Sequence, residues 1–490
     1  MANSRDTDKS GALATKGITH RRLSLPSLKV IMIIAVAGLL TGYQIFKPTK
    51  RVIEAMIGLV LLLALWSVSG FYALLFFIIM YPFPFAIALG NSDFIFILII
   101  FIVSLVRTQT GTSKLRSAKM LNLPIALMLL SYFLSFYNVD YASGDFGSNL
   151  TAAYPFLSAV MFFYLCISYI DSEERMKMVL KAMLVSAAFV MVFTTLELLF
   201  PGRVFIPNWL YTKHEYSLIM KGLRVTGPFH DFELQAEFFA LNVPIIFLYL
   251  IRSKALSVRV IIALLLLADL FMMFATITRG AFIVLMIGFI YLAIISRRDL
   301  NFFRITAITS GFVFILVCIE LFVSRYTTSG SLFERLIATT FKSGIIPENR
   351  YEAWRLGLLQ GMLHPFIGYG PAWDYAKGIE VKFIPHSIYL YLFNITGLCG
   401  LTSFLFFLYR LLKMSVKSIG VSLVSSPFPQ ALMKVLHVCL IMFIIDQIKI
   451  EYLRSHIYIY FVWLIFALIA ATQNIILKNE RERITPVPSA

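Results

Sequence analysis

The chain has 490 residues, of which 59% are hydrophobic and only 14% are charged. Soluble globular domains carry about 25% charged residues, so this composition excludes a water-soluble protein. The net charge of +17 does not indicate nucleic-acid binding, because the Lys and Arg residues lie in short loops between apolar runs, where they set the orientation of a membrane protein.

The apolar runs are long enough to cross a bilayer. A membrane-spanning helix needs about 20 apolar residues, and such runs recur between Val30 and Asn474. They predict an all-α polytopic integral membrane protein with roughly 12–14 transmembrane helices. The predicted spans lie near residues 30–46, 52–69, 71–89, 93–106, 123–139, 154–170, 178–199, 235–251, 259–276, 280–296, 305–323, 387–409, 431–448 and 456–474.

These spans divide the chain into five parts. They are a basic cytoplasmic tail, the N-terminal transmembrane helices, a central domain, the C-terminal transmembrane helices and a second cytoplasmic tail, at residues 1–29, 30–199, 200–410, 411–476 and 477–490. The central domain contains two long outer loops, at residues 200–234 and 324–386. Loops of this length usually have a function or are disordered.

The basic residues predict the orientation. From the loop that contains Arg107 onward, they fall in every second loop, which places those loops and both chain termini in the cytoplasm. The loop with Lys47, Lys50 and Arg51 disagrees with this alternation, so the topology of the first four spans stays open.

The second outer loop contains an amphipathic pattern. Apolar residues recur there at helical spacing, at Tyr351, Trp354, Leu358, Leu359 and Met362. Pro365 then ends the pattern, because proline cannot continue a helix. We expect a helix folded against the membrane surface, next to a site that faces the periplasm.

Seven ionisable residues are candidates for that site. They lie at the outer ends of the predicted spans or in the outer loops: Arg224, Arg279, Arg350, His386, Glu197, Glu320 and Asp446. Charges at membrane depth cost a few kcal/mol each on insertion scales, and are therefore functional or paired.

Arg279 stands in a short turn between two spans, in Thr278-Arg279-Gly280-Ala281. One interpretation is an interfacial arginine that extends its charge towards water. The other is an anion site, because a guanidinium binds phosphate in a bidentate way and Gly280 permits the close approach of another chain or a ligand.

His386 directly precedes a predicted span. It is either an amphipathic anchor at the interface or a group that takes a proton from a hydroxyl near neutral pH. Within the span, Gly397 and Gly400 lie three residues apart, which indicates a close packing contact.

Four motifs in order resemble one family. They are Arg224-Val-Thr-Gly227-Pro-Phe-His, Thr278-Arg279-Gly280-Ala281, Arg350-Tyr-Glu-Ala-Trp354 with Pro365-Phe-Ile-Gly368-Tyr-Gly370-Pro, and His386-Ser387 followed by Gly397 and Gly400. Over roughly residues 220–410 this pattern resembles the shared domain of bacterial O-antigen polymerases and O-antigen ligases. His230-Asp231 departs from it, since the family often has an Asn-Pro-like turn at that place.

The resemblance implies an inverting glycosyltransferase of the bacterial plasma membrane. It implies a polyprenyl-diphosphate-linked oligosaccharide as donor, and neither a metal nor another cofactor. Arg224 and Arg279 would hold the diphosphate, and His386 would orient or deprotonate the acceptor hydroxyl. Membrane lipid and a chain-length regulator are further expected partners.

The remaining candidates have less defined expected roles. Arg350 would bind the diphosphate or stabilise its loop. Glu197, Glu320 and Asp446 would orient the basic residues, bind sugar or form simple pairs between helices. His230, Asp231 and Glu233 are an alternative site for a divalent cation, because imidazole and carboxylate are suitable ligands.

The sequence leaves three functions open. The first is a polymerase of lipid-linked repeat units, and the second is a ligase that moves the finished glycan to a lipid core or to a protein. The third, from another class, is a flippase for lipid-linked sugars. Transporters show internal repeats and polar sites at mid-membrane in broken helices, and the sequence shows neither feature.

Overall fold

The computed structural model describes the part of the chain that follows residue 68, with gaps. The described residues are 69–82, 92–110, 116, 118–138, 146–200, 224–229, 231–296, 311, 317, 318, 321, 348–372, 385–420, 427–455 and 457–484. Within them the structure has twelve α-helices and no strand. The chain divides into two units, of which the first, Met1–Leu63, lies outside these residues.

The helices are numbered in chain order. They are α1 (Gly70–Met80), α2 (Ser92–Gln109), α3 (Lys119–Ser135), α4 (Phe146–Tyr169), α5 (Glu173–Leu199), α6 (Phe232–Arg252), α7 (Leu256–Ala275), α8 (Arg279–Ser296), α9 (Glu348–Gly361), α10 (Ile388–Ile419), α11 (Pro427–Asp446) and α12 (Tyr458–Ile484).

Nine helices of the described part, α3 to α8 and α10 to α12, are long and apolar enough to cross a membrane. They confirm the predicted all-α polytopic membrane protein. In the predicted span 71–89, α1 ends at Met80 and a turn at Tyr81 and Pro82 follows it. The predicted span 30–46 and most of 52–69 and 305–323 lie outside the described residues.

Helix α12 is the centre of the bundle, and 94% of an 18-residue apolar stretch of this helix is buried. Its Trp463 is fully buried and has edge contacts with Phe156 and Phe163 of α4. On another side the indole stacks on Phe407 of α10 at a ring distance of 5.5 Å. A helix that is apolar all round is buried on all sides, and α12 packs against α4, α10 and α11.

Helix α10 is broken at Gly397, which has φ 63° and ψ −162°. Residues other than glycine hardly ever adopt this backbone conformation. This break was not identified from the sequence. The predicted close contact at Gly397 exists, and the group in contact is the carbonyl of Phe366, where a side chain on Gly397 would collide.

The segment Pro365–Gly370 fills this break. The amides of Tyr369 and Gly370 donate to the carbonyls of Asn394 and Ile395, at 2.8 and 2.9 Å. In the opposite direction, the amides of Leu398 and Cys399 donate to the carbonyls of Pro365 and Phe366, at 2.7 and 3.2 Å. The hydrogen bonds that α10 loses at its break are thus replaced by bonds to the preceding loop, as a membrane interior requires.

Helix α9 confirms the helix predicted from the amphipathic pattern. It packs on the α10 side through small residues, because Gly357 faces Pro385, Gly361 faces the ring of Phe393, and Ala353 is buried. The larger apolar side chains lie on the exposed side of the helix and of the turn after it: Tyr351, Leu358, Leu359, Met362, Leu363 and Phe366. This surface suits a helix that lies on lipid.

The break gives a stability prediction. We expect Gly397→Ala to lower the free energy of unfolding by about 2 kcal/mol or more, because the new methyl group needs a strained backbone and meets a carbonyl. Gly420→Ala, at the end of the same helix, is the control, since its added carbon would lie 3.6 Å from the Lys417 carbonyl oxygen, at an ordinary φ of −72°. Thermal unfolding in detergent would measure both, and equal midpoints would contradict the prediction.

Candidate outer-face site

The turn between α7 and α8 holds Arg279 at the start of α8. It consists of Thr276, Ile277 and Thr278, and all three are buried. The sequence predicted a short turn in Thr278-Arg279-Gly280-Ala281, but the structure places residues 279–281 in the first turn of α8. Ile277 has φ 52°, a conformation that is strained for a β-branched residue. Strained residues persist only where their surroundings hold them, and here the surroundings include Arg224.

Arg224 binds this turn. Its Nε donates to the carbonyl of Thr276 at 2.8 Å, and its Nη2 donates to the carbonyl of Ile277 at 3.3 Å and to the hydroxyl of Thr278 at 3.0 Å. The guanidinium also lies 3.3 Å from the ring centre of Phe232. Arg224 therefore fixes the three residues that precede Arg279.

Glu197, near the C-terminal end of α5, holds the Arg224 segment in turn. Its carboxylate accepts hydrogen bonds from the amides of Thr226 and Gly227, at 2.9 and 2.8 Å, and from the Thr226 hydroxyl at 3.1 Å. A carboxylate with several donors of this kind is a strong anchor. Glu197, Arg224 and the Arg279 turn thus form one connected series of contacts.

The start of α6 ties Arg350 into the same region. Asp231 caps this helix and accepts from the amides of Glu233 and Leu234, at 2.7 and 3.0 Å. Glu233 forms an ion pair with Arg350 of α9. These contacts occupy two of the residues considered for a cation site, and His230 lies outside the described residues.

The turn after α11, from Asp446 to Ile450, lies at the centre of this region; we call it the hub turn. The amide of Ile388 donates to the carbonyls of Gln447 and Ile450 at 3.1 Å each. Arg350 Nη1 donates to the carbonyl of Lys449 at 3.1 Å. The hub turn therefore connects α9 with the start of α10.

His386 lies two residues before Ile388 and has φ 46°, in the left-handed region. The hub turn is also fixed by its own residue Gln447. The Nε2 of Gln447 donates to both carboxylate oxygens of the buried Glu237, at 2.9 and 3.2 Å. The Gln447 Oε1 accepts from the amide of Tyr452 at 3.0 Å. The backbone next to His386 is thus held by contacts inside the bundle.

Asp446 pairs with Lys449 within the hub turn, with 2.7 Å between Oδ1 and Nζ. The side chain of Lys449 also lies across Gly280, where an added Cβ would collide with it. Gly280 directly follows Arg279. The close approach predicted at Gly280 therefore exists, and the approaching group is Lys449.

One end of the bundle thus collects most of the predicted site residues. The segments of Arg279, Arg350, His386 and Asp446 meet at the hub turn, and Glu197 and Arg224 join through the turn before Arg279. Glu320 lies outside the described residues. Sequence reasoning missed Glu237, Gln447 and Lys449, although the spacing of Glu233 and Glu237 puts both acids on one face of α6.

Residues 262–405 match a protein family described as O-Antigen ligase. This match confirms the resemblance to the O-antigen polymerase and ligase superfamily. The matched region includes Arg279, Arg350 and His386, whereas Arg224 and Asp446 lie outside it. The family indicates an enzyme that acts on lipid-linked glycans in a membrane, and it does not distinguish a polymerase from a ligase. No curated protein matches the chain.

Arg224 gives the first prediction for this site. We expect Arg224→Lys to lower the free energy of unfolding by about 3 kcal/mol, because an ammonium cannot form the two-carbonyl fork and charged hydrogen bonds contribute about 1.5–3 kcal/mol each. The control is Arg259→Lys, since Arg259 also donates to a backbone carbonyl, that of Ser253 at 2.9 Å, but is exposed. A stability loss of equal size in both variants would contradict a special role for Arg224.

The pair of Glu237 and Gln447 gives a second prediction. Gln447→Glu places two buried carboxylates together and should destabilise the protein, whereas Glu237→Gln leaves an amide pair and should be mild. The double variant, Glu237→Gln with Gln447→Glu, again pairs one amide donor with one carboxylate acceptor. We therefore expect its free energy of unfolding to be about 2 kcal/mol higher than that of Gln447→Glu alone. Denaturation of all four proteins in detergent measures the coupling, and additive effects would refute it.

Proposed function

We propose that this protein is an inverting glycosyltransferase that joins polyprenyl-diphosphate-linked oligosaccharide repeat units into a surface polysaccharide such as O-antigen, capsule or exopolysaccharide. One observation carries the proposal. The segments with Arg279, Arg350 and His386, all within the matched family region, meet at the hub turn at one end of the bundle.

Arg279 is the proposed ligand of the donor diphosphate. A guanidinium binds phosphate oxygens in pairs, and Arg279 is the first residue of α8, where the helix dipole also favours an anion. Both effects stabilise the charge that develops on the diphosphate as it leaves. Direct contact of Arg224 with the diphosphate stays a prediction, because the hydrogen bonds described above join Arg224 to the turn.

His386 is the proposed base. It takes the proton of the acceptor hydroxyl while the hydroxyl oxygen attacks the anomeric carbon and the bond from that carbon to the diphosphate oxygen breaks, with inversion. The left-handed backbone of His386 supports this role, since strained conformations cluster at functional sites. The reaction needs no metal in this scheme, and sugar binding by Glu320 stays a prediction.

The membrane supplies the setting. We place the hub turn at the outer face of the bacterial plasma membrane and both termini in the cytoplasm, because the basic residues alternate between loops. The exposed apolar side of α9 would lie on lipid, and the polyprenyl tail of the donor would reach the site from the bilayer. A chain-length regulator stays a predicted partner.

A ligase is the second candidate, because the matched family carries the description O-Antigen ligase. A ligase would use the same donor and base with a lipid-core or protein acceptor. A flippase is less well supported. Its broken helices would leave polar ends at a substrate site, whereas loop backbone occupies the break at Gly397.

Surface glycan from a strain that lacks this gene separates the candidates. If the protein is a polymerase, wild type restores a ladder on a gel, and Arg279→Ala and His386→Ala leave single repeats attached to the lipid core. If it is a ligase, the deletion leaves long glycan on its polyprenyl carrier. A flippase would leave lipid-linked repeat units on the cytoplasmic side. Membrane abundance of each variant must equal that of wild type.

The backbone of His386 permits a sharper test. Asparagine tolerates positive φ better than most residues, so His386→Asn should keep the thermal stability of the protein but lower the rate of glycan transfer at least about 10²-fold. His364→Asn is the matched control, since His364 lies at the same end of the bundle, against Tyr369, and has no role in the proposed reaction. Transfer at the wild-type rate by His386→Asn would exclude His386 as the base.

A further inference from the structure

Lys449 lies next to the proposed diphosphate ligand Arg279 but has no role in the reaction described above. Its side chain lies across Gly280, the residue after Arg279, so that any larger residue at 280 would displace it. The first turn of α8 therefore has an arginine in its chain and a lysine packed over its backbone. The N-terminal end of α8 thus combines Arg279 of the helix itself with Lys449 of the hub turn.

The lysine backbone is fixed independently of its charge. The Lys449 carbonyl accepts a hydrogen bond from Arg350 Nη1 at 3.1 Å, and its amide donates to the carbonyl of Asp446 at 3.0 Å. A long flexible side chain usually loses much entropy on binding an anion. Here the end of the side chain, from Cδ to the ammonium, already lies over a glycine, which lowers the entropy lost on binding.

Burial differs between the two members of the ion pair. The side chain of Asp446 is 1% exposed and that of Lys449 is 24% exposed. The carboxylate thus lies on the inner side of the pair, and the lysine lies on the side with access to solvent. In this arrangement, part of the lysine side chain stays accessible to a ligand.

We propose that Lys449 and Arg279 together bind the diphosphate of the lipid-linked donor, with Lys449 on one phosphoryl group and Arg279 on the other. The inference rests on the proposed function and adds a residue from outside the matched region to its donor site. Arginine provides the bidentate fork and lysine a compact point charge, a combination that suits two linked phosphoryl groups. Arg350, a sequence candidate for the diphosphate, then acts by positioning Lys449.

The proposal predicts that replacing Lys449 weakens the binding of the diphosphate, whereas replacing Asp446 does not. Lys449→Met keeps the stem over Gly280 and removes the charge, so it should weaken binding of a polyprenyl diphosphate about tenfold, which corresponds to about 1.4 kcal/mol. Asp446→Asn removes a carboxylate that competes with the diphosphate for the ammonium. It should leave the affinity unchanged or increase it.

The probe is a polyprenyl diphosphate without glycan, and its affinity for the full chain in detergent is measured for each variant by thermal shift and by competition with a labelled copy. Lys177→Met is the control. Lys177 also forms an ion pair, with Glu173 at 2.6 Å between Nζ and Oε1, but it lies at the start of α5, away from the hub turn. We expect this variant to bind like wild type.

Each result has one meaning. Weaker binding by Lys449→Met with wild-type or tighter binding by Asp446→Asn supports the proposal. If both variants bind more weakly, the pair has only a structural role, and if Lys449→Met binds like wild type, Lys449 is not a ligand; either result overturns the proposal. If wild type itself does not bind the probe, the diphosphate-donor mechanism fails together with this inference, whereas normal binding without glycan transfer would contradict the proposed function alone.

Discussion

The end of the bundle that carries the hub turn depends on backbone hydrogen bonds at the break in α10. In a bilayer an unpaired amide or carbonyl costs several kcal/mol, so a helix is interrupted only where other groups replace its hydrogen bonds. Here the segment Pro365–Gly370 replaces them in both directions. Asn138, at the end of α3, donates to the Gly368 carbonyl and connects this loop to the rest of the bundle. The loop before His386 is therefore attached to two helices.

Charge pairing determines how the rest of the site is held. Two pairs combine an acidic group with donors from another part of the chain, namely Glu233 with Arg350 and Glu197 with the Arg224 segment. The third pair, Asp446 and Lys449, lies within the hub turn. A buried pair contributes little net stability, but the loss of one member leaves a charge without compensation. These pairs therefore specify one arrangement of the loops more than they strengthen the fold.

The sequence predicted those features that depend on local patterns. Apolar runs located nine spans, helical spacing located α9, and the short turn before Arg279 was evident from its neighbours. The break at Gly397 was not predictable, because its replacement bonds come from residues about 30 positions earlier in the chain. The same reason applies to Lys449 and Gln447, whose contacts with Gly280 and Glu237 join distant segments. A glycine in the sequence indicates a close approach, but it does not identify the approaching residue.

The position of α12 affects the order of assembly. This helix is buried on nearly all sides, yet it follows the eleven other described helices in the chain. During synthesis the earlier helices reach the bilayer first, and until α12 arrives their inner surfaces, including the aromatic rings that contact Trp463, can pack only against lipid or against one another. The native bundle therefore closes late, around a helix that follows the eleven other described helices, and the earlier helices form an open intermediate until α12 is inserted.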